Sequence, residues 1–382
     1  MTVKQNLRIL YTANLVYMIA FSAYFLLPVY LSDLGASDVV VGGIMSAMGV
    51  SNLATLLWLY FYGGRRDTRA MMMFGCAAAL ISNTCMIFTT DLFFIAGVRL
   101  CQGIAFCVYF ISVNTYLTQI CPPQEHAKHI GFLGVITLVT QVAAPAASEA
   151  FVAITDFQTL FALTVFLVVL SVIALFVLPR AQTSESEKIV TFGNASNTNW
   201  LFYGYQVTGV AVVGGAVYGT ILVFSPLYLQ EKQIMPLSLF FIAYSMAAVI
   251  SRLVGRNWAD RYGRVRISRY AFVALTFSVI AMGWTRSPAT FGAVSALFGI
   301  GHGLMYPAMA AYSIQVIPGN LRAMTIWNGG FIIGVSIGAA LGGVIAEKTS
   351  IGTAFMLSAV MPIIAVTALS IKKKSTVILK PS

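Results

Sequence analysis

Apolar runs as long as a bilayer is thick recur down the whole chain, broken only by short polar stretches. A run of about 20 apolar residues crosses the hydrocarbon layer as a helix. In lipid every backbone N–H and C=O must be bonded internally, so only helices and closed barrels can span it. Barrel strands alternate apolar and polar residues with period two, whereas the runs here are continuous, which selects helices. Charge and turn residues divide the 382 residues into spans at 7–31, 39–62, 70–89, 92–120, 129–153, 158–178, 200–229, 236–254, 270–285, 289–316, 323–346 and 352–371. Only 9% of the residues are charged, against about 25% in soluble domains. The fold class expected is therefore an all-α integral membrane protein with twelve transmembrane helices.

Loop charge sets the expected orientation. Of the 23 Lys and Arg residues, 19 fall in alternate loops and at the two termini, three (Lys232, Arg286 and Lys348) fall in the opposite loops, and Arg99 lies inside a span. Basic loops stay cytoplasmic, so both termini are expected in the cytoplasm of a bacterial inner membrane. The net charge of +11 then reads as a topology and headgroup signal, not as a nucleic-acid surface. Lys4 and Arg8 precede an apolar stretch too long for a cleaved signal, and further spans follow it. Cys76, Cys85, Cys101, Cys107 and Cys121 have neither metal-ligand nor disulfide spacing and read as small packing residues. The longest polar segment, 179–199, follows six spans and precedes six more. The expected organisation is a six-helix bundle over 1–178, a cytoplasmic linker over 179–199, and a second six-helix bundle over 200–382 ending in a short basic tail. Such halves are related by an axis along the membrane normal.

Three local motifs add detail. The loop between spans 8 and 9 reads Arg256-Asn-Trp-Ala-Asp260-Arg261-Tyr-Gly263-Arg264; span 4 carries Arg99-Leu-Cys-Gln102-Gly103; span 5 carries Thr140-Gln-Val-Ala-Ala144-Pro145-Ala-Ala-Ser148. With the six-plus-six layout, they resemble the major facilitator superfamily over nearly the whole chain. The resemblance implies a loop in which Asp260, Arg261, Gly263 and Arg264 latch the halves on the cytoplasmic side. It also implies a role for Arg99 in proton coupling, and a central cavity lined by spans 1, 4, 7 and 10. Span 5 is similar to the antiporter pattern Gly-x-x-x-Gly-Pro-x-x-Gly, with Thr140, Ala144 and Ser148 in place of the glycines. The loop between spans 2 and 3 keeps Gly64-Arg65-Arg66 but has Phe61 at the acid position and Asp67 out of register.

Ionisable groups inside a span cost about 2.5–3.5 kcal/mol each on insertion scales, which marks them as functional candidates. Three stand out: Arg99, Glu149 and His302. Arg99 lies eight residues past Asp91 and Glu149 seven before Asp156, so both sit roughly 10–12 Å below the outer helix ends. An Arg99–Glu149 pair exchanged for a proton during transport is one expectation; a permanent structural pair is the other. His302, flanked by Gly301 and Gly303, is a candidate for proton or substrate contact, or a neutral interhelical hydrogen bond. Asn14, Tyr17, Gln102, Tyr109, Asn114, Gln141, Gln206, Tyr218, Tyr306 and Asn328 are the uncharged cavity candidates, each alternatively an interhelical bond. With Trp327 they suit an amphipathic organic solute. The run Gly329-Gly330…Gly334…Gly338…Gly342-Gly343 is expected to give span 11 one smooth packing face, and Gly214, Gly215 and Gly219 a place for span 7 to bend.

There is no Walker loop and no His-Glu-x-x-His pair. The function expected is not enzymatic: a secondary active transporter exporting a small organic molecule (drug, metabolite or metallophore), driven by the proton gradient without a cofactor. A proton symporter taking up a sugar, amino acid or organic anion is the alternative, and a lipid flippase is a further one. A non-transporting receptor is disfavoured by the short loops. A monomer in the lipid bilayer is the expected state, with no nucleic-acid partner.

Overall fold

The computed structural model describes residues 2–62, 67–122, 125–180 and 200–371. The Gly64-Arg65-Arg66 motif, the linker from 181 to 199 and the basic tail from 372 onward lie outside the described residues. Among those described there is no strand. Helix α1 runs over Val3–Ala23, tightens through a 3-10 turn at Tyr24–Leu26 and continues as Leu27–Asp33, where Pro28 sits in the first turn of the new segment. Then follow α2 (Asp38–Tyr62), α3 (Thr68–Phe88), α4 (Leu92–Ile120), α5 (His126–Val152) and α6 (Phe157–Val177). The second half holds α7 (Trp200–Glu231), α8 (Leu239–Val254), α9 (Arg264–Met282), α10 (Pro288–Val316), α11 (Asn320–Lys348) and α12, which is broken at Ala359 into Ile351–Ser358 and Val360–Ala368.

Several polar residues that punctuate the sequence are helix N-caps. Asp67, Asp91, Asp156, Ser287 and Ser350 each accept a backbone N–H of the first turn of the helix that follows. Each thereby satisfies a donor that the helix cannot bond internally. Asp156 is fully exposed, and the Thr159 N–H it accepts holds its carboxyl below the usual carboxylate range.

Two spans differ from expectation. The ninth begins at Arg264 rather than near 270, because Arg264 and Arg266 belong to the helix. Arg264 donates to the carbonyl of Ala311 at 2.8 Å, and Arg266 lies over the Tyr270 ring at 5.9 Å. Long basic side chains can thus extend a helix past the point where hydropathy falls. The eighth has only 16 residues and is followed by a short helix, Trp258–Tyr262. Eleven described helices are long and apolar enough to cross a membrane, and α8 is the shorter twelfth. Side chains such as Phe88, Phe93, Phe166 and Phe176 face outward, as a lipid-contacting surface requires.

Helices α1–α6 pack among themselves, as do α7–α12. Contact between the halves runs through α2 against α11, α5 against α8, and the end of α1 against α7. The glycines of α11 serve two faces rather than the single one expected. Gly330, Gly334, Gly338 and Gly342 lie against α7 within the same half, while Gly329 faces Leu53 and Leu56 of α2, and Gly343 faces Asp38. Helix α7 is unbroken through Gly214, Gly215 and Gly219; the latter two receive the backbone of α11 at Phe331 and Val335.

Candidate functional site

With twelve membrane helices, both chain ends emerge on one side, the terminus side, and the opposite face is the far side. Three hydrogen-bonded bridges join the halves at the far side. The Val39 N–H donates to Glu347 Oε2 at 2.9 Å, and Gln230 Nε2 donates to Asp33 Oδ1 at 3.2 Å. The third bridge belongs to Glu149. Leu237 and Ser238 donate their backbone N–H groups to its two carboxylate oxygens at 2.6 and 2.8 Å. These donors open α8, and the Ser238 side chain does not cap that helix itself. A carboxylate from α5 therefore caps α8 across the interface, where orphan N–H groups and the helix dipole both favour negative charge.

This corrects the expected Arg99–Glu149 pair. Equal depth on consecutive helices did not bring the two together, because the outer part of α5 faces α8 of the other half. Arg99 instead donates to Gln102 Oε1 at 2.7 Å, and Gln102 Nε2 donates to Asn83 Oδ1 of α3 at 3.0 Å. Arg99 is 5% exposed, its Nε has no partner, and among the described residues no ion pair reaches it. Tyr17, Tyr24, Asn83, Arg99 and Gln102 line one small pocket inside the first half. Tyr17 and Tyr109 stack with ring centres 3.6 Å apart, and Asn14 is buried beside them on α1.

The second half has an aromatic centre. His302 is buried, with Nδ1 2.8 Å from the Tyr244 hydroxyl and Nε2 unpartnered. Its ring stacks on Tyr218 at 4.8 Å and lies 5.8 Å from both Tyr306 and Phe331. Tyr306 donates to Asn328 Oδ1 at 2.7 Å and meets Trp327 edge-on at 5.5 Å. Tyr218, Tyr306 and Asn328 are thus brought together with His302.

Other candidates do not join either centre. Gln206 donates to the Ala368 carbonyl at 2.7 Å and accepts from the Tyr312 hydroxyl at 3.1 Å. Its amide ties α7 to α12 and α10, so it is a brace and not a cavity group. Asn114 donates to Phe110 O of its own helix at 2.8 Å, and Gln141 is half-buried on α5. The loop expected to latch the halves is bonded within its own half. Arg264 contacts Asp260 at 3.4 Å and holds the Ala311 carbonyl, Arg261 lies over Tyr262 at 5.3 Å, and Gly263 turns at φ 96°. In the first half Asp67 pairs with Arg180 at 3.2 Å, again without crossing over.

Asn83 was not among the sequence candidates; its place as the acceptor of Gln102 appears only when α3 packs against α4. Arg252 was missed because it was counted with the loop. It shares a helix face with Phe241, Ser245 and Ala248; Phe241 stacks on Phe25 of the other half at 5.2 Å, so that face looks inward.

No curated protein matches the sequence significantly. Solved structures match its fold. A bacterial homolog of the human lysosomal transporter Spinster, in an inward-facing and unoccupied conformation, is 13% identical, covers 96% of this chain and 95% of its own, and gives a TM-score of 0.76. The nucleoside transporter NupG is 12% identical over 97% and 98% of the two chains, with a TM-score of 0.75. The human organic anion transporter MFSD10 (TETRAN) is 11% identical over 97% and 100%, with a TM-score of 0.70. The model of the Major Facilitator Superfamily matches residues 9–320 and 235–381, so the chain belongs to that superfamily.

Proposed function

We propose that this protein is a secondary active transporter of a bacterial inner membrane that exports a small organic solute in exchange for protons, with Glu149 as the proton-responsive group. The terminus side, with 19 basic residues against three, is then the cytoplasm. The chain works as a monomer and draws on the proton gradient without a cofactor.

The observation that carries the reading is the Glu149 bridge. It is a charged clasp between the halves, at the side that must open to release an exported solute. Hydrogen bonds to a charged group contribute about 1.5–3 kcal/mol each, enough for two of them to hold a conformational equilibrium well to one side. Protonation removes the charge and turns one acceptor oxygen into a hydroxyl. An exchanger must not reorient while empty and unprotonated, whereas a symporter must return in that state. A clasp at full strength only when Glu149 is charged penalises the empty, unprotonated carrier, which supports exchange over symport. The helix-breaking Pro145, four residues before Glu149, gives α5 a point at which to bend as the clasp releases.

The test is reconstitution in liposomes enclosing a pH-sensitive dye, with cationic, neutral and anionic solutes presented to wild type and Glu149→Gln. Solute-dependent proton movement, opposite in direction to the solute and absent from the variant, is the expected result. Equal proton movement through both proteins contradicts the role of Glu149. Protons and solute moving in the same direction make the protein an uptake symporter.

A further inference from the structure

We infer that the inner face of the second half binds an organic anion bearing an aromatic ring, with Arg252 meeting the negative group and the Tyr218–His302 stack meeting the ring. The inference rests on the transporter reading and names the substrate class for it.

The electrostatics come first. The second half holds three acids, Glu231, Asp260 and Glu347, all at helix ends or in loops. None pairs with Arg252, whose Nε is buried without a partner. Arg252 nevertheless lies on the inward face of α8 and not in the loop. Its guanidinium is near enough to bear electrostatically on Tyr218, Tyr244, Tyr306 and His302. A cation held there without a counter-charge is costly, and an anionic ligand removes that cost. Arg99 repeats the pattern in the first half, bonded to neutral Gln102 and, among the described residues, to no carboxylate. The one carboxylate inside the spans, Glu149, is already taken by α8.

The shape of the site follows from helix register. Helices α8 and α10 run parallel, with Gly299 against Tyr244 and Gly303 against Ala248. Arg252 is thereby level with Pro307, about 7–8 Å nearer the terminus side than His302 at 1.5 Å per residue. That offset is about the length of an aromatic carboxylate such as benzoate. A ring lying against Tyr218, Tyr306 and Phe331 leaves its carboxylate at the guanidinium, where paired N–H donors fit two oxygens. His302 Nε2, buried and unpartnered, is left to bond a polar atom on the ring. A surface of this kind discriminates through buried polar groups that the wrong ligand leaves unpaired.

Isothermal titration of the purified full-length protein in detergent tests the inference with three probes: 2-naphthoate, its neutral amide 2-naphthamide, and cyclohexanecarboxylate. Wild type is expected to bind naphthoate at least tenfold tighter than either of the others. Arg252→Gln is expected to equalise naphthoate and naphthamide, and Arg252→Lys to restore part of the preference; both variants must keep the wild-type melting temperature. Tyr218→Leu is expected to equalise naphthoate and cyclohexanecarboxylate. No binding of naphthoate, equal affinity for acid and amide in wild type, or a preference unchanged in Arg252→Gln each overturns the inference. The assay contains no gradient, so the two readings fail separately. Naphthoate binding with a silent pH dye keeps this site and removes proton coupling, whereas proton movement driven by solutes without regard to their charge keeps coupling and removes this site.

Discussion

Glu149, Arg99 and His302 were legible as single residues because an ionisable side chain inside an apolar run is expensive wherever it sits. Their partners were not legible. Which groups meet depends on the helix that lies opposite, and a backbone N–H leaves no trace in residue identity. Glu149 thus answers to Leu237 and Ser238, 88 and 89 residues away. The Arg99–Gln102–Asn83 chain makes the same point. Gln102 was singled out only as part of the motif Arg99-Leu-Cys-Gln102-Gly103 and not as the partner of Arg99, while Asn83 emerges only when α3 is packed against α4. Replacing Asn83 with Leu strips Gln102 Nε2 of its acceptor inside the bundle. A donor left unsatisfied there costs about 1–3 kcal/mol, so Asn83→Leu is expected to lower the melting temperature in detergent. An unchanged melting temperature shows that Gln102 finds another acceptor.

At the scale of the helix, the spans were legible from apolar length and their starts from capping residues, and the errors cluster where arginine is part of a helix. Arg264 and Arg266 open α9 although hydropathy assigns both to the loop, and Arg252, inside the span expected at 236–254, was counted with the loop's basic residues although it lies in α8. The four-residue glycine spacing of α11 was equally plain, but one spacing cannot show that a helix has neighbours on two sides. The structure separates the glycines by what a methyl group would meet. At Gly338 it meets the backbone carbonyl of Ala216, whereas at Gly329 it lies 3.6 Å from the end of the Leu53 side chain. Gly338→Ala is expected to destabilise by about 1–3 kcal/mol, since backbone cannot move aside as a side chain can. Gly329→Ala is expected to be neutral or slightly stabilising, because alanine is the better helix former. Thermal melts of the two variants side by side check this, and equal losses contradict the two-face assignment.

For the whole molecule, the six-plus-six layout was readable from the polar segment at 179–199 and the alternation of basic loops. The state of the molecule was not, because it is set by contacts between the halves. The motif expected to join them at the terminus side is bonded within its own half, and three hydrogen-bonded bridges between the halves lie at the far side. These bridges hold the described structure together at the far side, and in the proposed mechanism Glu149 is the one of them that answers to protons. The most direct test places spin labels at Thr155 and Lys232, beside the clasp on opposite halves, in protein whose five native cysteines have been replaced. Their separation is then measured by pulsed dipolar spectroscopy across pH. The account predicts one short distance at high pH, a growing longer population as pH is lowered, and a pH-independent mixture in Glu149→Gln. The same single distance in both proteins at every pH contradicts it.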